Sequence, residues 1–149
     1  MRAVVQRVTS ARVTVDGRLV AAIEHGLLVL VGIARDDDAT AAAYLANKIV
    51  GLRVFDDAGR RFNRSVQEVE GAVLLVSQFT LYGDCRRGRR PSFDQAAPPA
   101  EARAMYAALT GALRAHGVSV QTGKFQAHMA VESVNDGPVT ILLDSGKVF

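Results

Sequence analysis

The sequence predicts an α+β fold: a single domain over residues 1–149, with a mostly antiparallel or mixed β-sheet and two main helices. Three observations carry that prediction. Val-rich segments bounded by turn residues recur at both ends of the chain and read as strands. Two other segments, around Leu45 and Leu109, repeat their apolar residues at helical spacing. No linker, repeat or low-complexity tract divides the 149 residues, and that length suits one domain with a sizeable core. Hydrophobic residues make up 49% of the chain, which excludes a disordered class.

The elements follow in order. Residues 2–8 and 12–15 are strands, Asp16-Gly17 is a two-residue hairpin turn, and residues 18–23 return. Residues 27–33 are continuously apolar, as in a strand buried on both faces. Asp36-Asp37-Asp38 offers cap oxygens and negative charge to a helix start. Leu45, Ile49 and Leu52 then mark one buried helical face, and Gly51 fits the helix end. Val54-Phe55 begins a short strand before the turn at residues 56–59. Residues 72–76 form another buried strand, which leads into Ser77-Gln78-Phe79-Thr80-Leu81. A polar loop spans roughly residues 82–98. Pro99 suits a first helical turn, Met105, Leu109 and Leu113 form a second stripe, and His116-Gly117 closes it. Residues 118–121, 127–134 and 139–143 are the last strands.

Most common chemistries find no support in the residues. There is no P-loop, no dinucleotide fingerprint and no nucleophile elbow. His25, His116 and His128 are scattered, and none stands at ligand spacing with Cys85, so no metal and no cofactor is expected. Cys85 is the only cysteine, which rules out an intrachain disulfide and agrees with a cytoplasmic protein. The longest apolar stretch, residues 26–34, is too short to span a bilayer, so no membrane partner is expected. The 18 basic and 15 acidic side chains leave a net charge of +3, but Arg86, Arg87, Arg89 and Arg90 fall within five residues. That cluster is a solvated basic loop or a nucleic-acid contact.

Two segments stand out. Polar Ser77-Gln78-Phe79-Thr80 follows directly on a buried strand, where rigid support and a crevice often meet. Gly137-Pro138 interrupts a run that otherwise reads as strand, although proline cannot donate to a ladder. Residue chemistry alone reads Asn135-Asp136-Gly137-Pro138 as a hairpin turn, or else as backbone presented to a ligand. At this level a nucleic-acid-binding module, a cysteine hydrolase built on Cys85 and a dimerisation domain all stay open.

Taken together, the chain resembles the D-aminoacyl-tRNA deacylase family. The resemblance runs from the opening Met1-Arg2-Ala3-Val4-Val5-Gln6-Arg7-Val8 to about Ser145. It is carried by Ser77-Gln78-Phe79-Thr80-Leu81-Tyr82, Arg90-Pro91-Ser92-Phe93, Ala96-Ala97-Pro98-Pro99 and Asn135-Asp136-Gly137-Pro138-Val139-Thr140. One departure is Gln126, where many relatives have Gly. Phe79 and the ends of the second signature set the chain apart from the branch with a trans Gly-Pro bond.

What the resemblance implies is a homodimeric cytoplasmic hydrolase that frees D-amino acids from tRNA at the 3′-terminal adenosine in translation quality control. It also implies removal of glycine mischarged on tRNA(Ala), with neither metal nor cofactor. The Gly137-Pro138 bond would be cis, and the pair would enter the partner subunit's pocket as a chiral gate, its carbonyls holding the α-amino group. Ser77, Gln78, Phe79 and Thr80 would line the opposite wall. The N–H groups of Phe79 and Thr80 would be oxyanion donors, Phe79 and Met129 would pack against the adenosine, and Arg7 would brace the gate. Thr80 is a nucleophile in one version; in the favoured one a water attacks, because no base is evident near Thr80.

Overall fold

A computed structural model describes residues 1–59 and 61–149. Its organising element is β1 (Arg2–Val15), a 14-residue strand that replaces the two short strands expected there. Thr9 and Ser10 do not end it, although the strand changes partner around them on one edge. Along one edge its first half pairs antiparallel with β3 (Gly26–Gly32), and its second half with β2 (Arg18–Ile23). Its other edge pairs over nearly the whole length with β6 (Ala130–Asp144). Beyond β3, the strands β4 (Ala72–Ser77) and β5 (Ser119–Thr122) add in parallel, giving a mixed six-stranded sheet.

Period-two alternation assigns the apolar side chains to two cores. Leu27, Val29, Val31, Val73 and Leu75 face the larger one. There they meet Leu45 and Ile49 of α1 (Ala39–Gly51) and Leu109 and Leu113 of α2 (Pro99–Ala115). Leu28, Leu74 and Val76 point the other way, into a smaller core with Val8, Val13 and Ile23. The continuous apolar runs therefore reflect strands covered on both faces. Asp38 caps α1 by accepting from the Ala41 N–H at 2.9 Å, and Pro99 occupies the first turn of α2. Among the described residues, no helix is long and apolar enough to cross a membrane.

Three local expectations need correction. Val54-Phe55 does not form a strand; Phe55 makes a lone bridge to Arg64. The last long strand starts at Ala130, because residues before it wrap a cleft instead of pairing. Asn135-Asp136-Gly137-Pro138 is not a hairpin turn. Chain direction does not reverse: Asn135 pairs with Val8 and Thr140 with Gln6, so residues 136–139 bulge out opposite the single residue Arg7.

Candidate active site

The buried strand β4 delivers the polar run to the surface. The Gln78 N–H extends its parallel ladder by donating to the Val31 carbonyl at 2.7 Å. The chain then winds into a short 3₁₀ helix, Phe79–Tyr82. Gly32 lets that turn sit close against β3: a Cβ there would fall 3.0 Å from the Leu81 Cβ and 3.1 Å from the Gln78 carbonyl oxygen. The N–H groups of Phe79 and Thr80 open the helix, where helical geometry supplies no partner.

This turn borders a cleft of about 560 Å³ at the carboxyl ends of the parallel strands β3 and β4. Ligands bind at that position in open α/β sheets. Val31, Ile33 and Val76 form its floor, and the start of α2 gives one side. Ser77, Gln78 and Phe79 form a wall, faced by Phe125, Gln126, His128 and Met129. Phe79 is 58% exposed and meets Phe93 edge to face at 4.9 Å between ring centroids. The cleft has an apolar body with hydroxyl, amide and imidazole groups at its edge, and its lining contains no Asp, Glu, Lys or Arg. Beneath the floor, Tyr106 donates to the Leu75 carbonyl at 2.7 Å, and burial pushes its phenol well above the ordinary tyrosine range.

Thr80 adjoins the wall without lining the cleft. Its hydroxyl accepts a hydrogen bond from the Gln78 side-chain amide, which is a donor and not a base. Cys85 is exposed and lies outside the cleft. Sequence reasoning missed Phe93, Phe125 and His128 as lining residues. Phe93 stands within a motif that carries the resemblance, and Phe125 and His128 neighbour Gln126 and Met129; only that position could have flagged them. Gln126, flagged as a departure, sits on the rim with φ +63° and accepts from Arg103 Nη2 at 2.8 Å. Among the described residues, no group of three or more His, Cys, Asp or Glu could hold a metal ion.

Arg7, Gly137 and Pro138 form a second cluster. Asn135 closes the bulge: its Oδ1 accepts the Val139 N–H at 2.7 Å, and its Nδ2 donates to the Val139 carbonyl at 3.3 Å. The side-chain amide thus stands in for a strand partner. Gly137 has φ +139°, and a Cβ there would lie 2.7 Å from Val139 Cγ2. Arg7, only 8% exposed, reaches under the bulge. Its Nε donates to the Asp136 carbonyl at 2.9 Å and its Nη1 to the Val54 carbonyl at 2.6 Å. Asp136 and Asp56 pair with it at 3.4 and 3.6 Å. The Gly137-Pro138 peptide bond is cis, and both residues are exposed, with no partner on β1.

The two clusters do not meet within one chain. Val131 lines the cleft, and Asn135, where the bulge begins, lies four residues further along β6, about 13 Å at the rise of a strand.

A family model described as D-Tyr-tRNA(Tyr) deacylase matches residues 4–144. This chain belongs to the D-aminoacyl-tRNA deacylase family. The D-aminoacyl-tRNA deacylase of Symbiobacterium thermophilum is 61% identical over all of this chain and 99% of its own length. That of Thermotoga petrophila is 57% identical over the whole of both chains. The solved structure of a c-Myc DNA unwinding element binding protein superposes with a TM-score of 0.91 at 41% identity, covering 97% of this chain and 98% of that one.

Proposed function

We propose that this protein hydrolyses the ester bond of D-aminoacyl-tRNA, releasing the D-amino acid and tRNA, and spares the L-aminoacyl ester by steric exclusion. One observation carries the reading: in a chain of this family, Ser77, Gln78 and Phe79 wall an apolar cleft large enough for a nucleoside and an amino acid. The adenosine packs in the cleft on Phe79 and Met129. A water attacks the ester carbonyl, assisted by the ribose hydroxyl of the substrate. The N–H groups of Phe79 and Thr80 receive the oxyanion. The ester C–O bond then breaks, and the ribose oxygen takes the proton. No step uses Thr80 as a nucleophile, since its hydroxyl faces an amide donor and no base.

The gate is Gly137-Pro138, and Arg7 holds it in place. The carbonyls of Gly137 and Pro138 stand outside the sheet ladder, where they can accept hydrogen bonds from an α-amino group. With that group fixed, D and L side chains point to different sides, and only one side has room. Glycine has no Cβ to exclude, so glycyl-tRNA passes the same gate. Because the bulge lies far from the cleft of its own chain, the reading requires a homodimer in which each subunit offers its bulge to the other's cleft. Val131, Val134 and Leu142, exposed apolar residues of β6, fit such a contact.

The rival is a nucleic-acid-binding protein without catalysis. The name of the 41%-identical structure and the arginine cluster favour it. Incubating the purified protein with tRNA charged with a radiolabelled D-amino acid separates the two. Release of the free amino acid at catalytic enzyme concentration supports the deacylase. Binding of the charged tRNA with no release would overturn it.

A further inference from the structure

The arginine cluster projects from the rim of the cleft as a hairpin. Asp84 and Ser92 exchange two backbone hydrogen bonds, at 2.8 and 3.0 Å, and close residues 85–91 into a loop with Gly88 near its tip. The base of this hairpin is fixed to the site. Phe93, the residue after Ser92, lines the cleft and contacts Phe79, and Arg35 Nε donates to the Asp94 carbonyl at 2.7 Å. Arg90, three residues before Phe93, is therefore within about 10 Å of it along the chain.

The hairpin carries more positive charge than it neutralises. Asp84 takes up Arg86, with Nη2 to Oδ2 at 2.6 Å and Nε to Oδ1 at 2.9 Å. The guanidinium holds that carboxyl down at about 2, so the pair stays ionised through the whole physiological range. Arg86 therefore contributes no net charge. Among the described residues, Arg87, Arg89 and Arg90 are exposed and have no carboxylate partner. On the opposite rim, Arg103 is already engaged by Gln126 and stacks over Phe125 at 4.7 Å. The lining itself contains no cation. A polyanion whose end enters this cleft must be gripped outside it, and the three arginines stand at that place.

We infer that this hairpin, through Arg87, Arg89 and Arg90, binds the phosphate backbone of the RNA whose 3′ end occupies the cleft. The inference rests on the deacylase reading above. It gives the cluster a division of labour: the cleft reads the aminoacyl-adenosine, and the hairpin supplies sequence-independent grip. Guanidiniums on a short loop suit this, since phosphate contacts position a nucleic acid without reading its sequence.

The test compares the wild type with Arg87→Ala/Arg89→Ala/Arg90→Ala on two substrates, D-aminoacyl-tRNA and the 3′ ester of a D-amino acid with free adenosine. Three phosphate contacts make the wild-type kcat/KM on tRNA fall about twenty- to fortyfold between 50 and 200 mM salt. The triple variant lacks that fall and works on the adenosine ester at the wild-type rate. The triple Arg→Lys variant recovers most of the salt dependence, because charge carries the contact. A triple alanine variant with wild-type rates on tRNA at every salt concentration would overturn the inference. So would equal losses on both substrates, which would assign the hairpin to cleft shape. A wild type inert on both substrates would instead sink the deacylase reading itself.

Discussion

Replacing Arg7 by alanine should loosen the bulge that carries Gly137 and Pro138. Two hydrogen bonds from a charged donor disappear, to the carbonyls of Asp136 and Val54. Such bonds contribute about 1.5–3 kcal/mol each. The accompanying ion pairs add little, because the Asp136 and Asp56 side chains are about half exposed and solvent screens them. Water can also reach part of the space vacated beside those carboxylates, so the low end applies, about 3 kcal/mol. A domain of this size holds about 5–15 kcal/mol of stability, so the variant still folds. Urea unfolding should show that loss, and the melting temperature should drop by about 6–12 °C. Arg7→Lys recovers about half, since one ammonium cannot serve two carbonyls on different segments. Both variants should also lose preference for the D ester, because the gate is no longer held. A stability within about 0.5 kcal/mol of wild type would refute the bracing geometry. An Arg7→Ala variant destabilised as expected but with an unchanged D-to-L ratio would refute the link from bulge to selectivity.

Four further outcomes are expected. Gly137→Ala forces a Cβ against Val139 at a positive φ, so it should cost more than about 1 kcal/mol in urea unfolding. Gly111→Ala, in open space on α2, should stabilise by about 0.5–1 kcal/mol. Thr80→Ala should retain substantial turnover, and a loss beyond about a thousandfold in kcat would restore a nucleophilic Thr80. Tyr106 has its folded-state pKa raised by burial. Its contribution is therefore complete below the unfolded value near 10 and is lost as pH rises above it, by about 1.4 kcal/mol per pH unit. Tyr82, also raised by burial, keeps its own alkaline slope, so Tyr106→Phe should reduce the slope seen in thermal melts without abolishing it, while destabilising the protein at neutral pH.

Much of the fold was legible because its signals are local. Asp16-Gly17, the cap at Asp38, the helix start at Pro99, and the continuous runs of β3 and β4 each state their own structure. Less legible was anything set by partners distant in sequence. Thr9 and Ser10 look like a break, yet β1 runs through them because β6 pairs along both halves. The turn chemistry of Asn135-Asp136-Gly137-Pro138 is real but misleading. The Asn135 side chain spends its hydrogen bonds on closing a bulge and not a reversal, and only the register against Gln6 and Val8 reveals that. Within the site, Ser77-Gln78-Phe79-Thr80 was visible as polar residues at the end of a buried strand. Phe93, Phe125 and His128 were not, since nothing in their own segments says which surface they face.

The central claim is that the cleft and the Gly137-Pro138 bulge together select handedness. The most direct measurement is the initial rate of hydrolysis of one tRNA carrying the D or the L form of the same amino acid. The account predicts the D ester is cleaved at least about a hundredfold faster, the ratio that about 2.7 kcal/mol of steric exclusion supplies. Equal rates on the two enantiomers would contradict it.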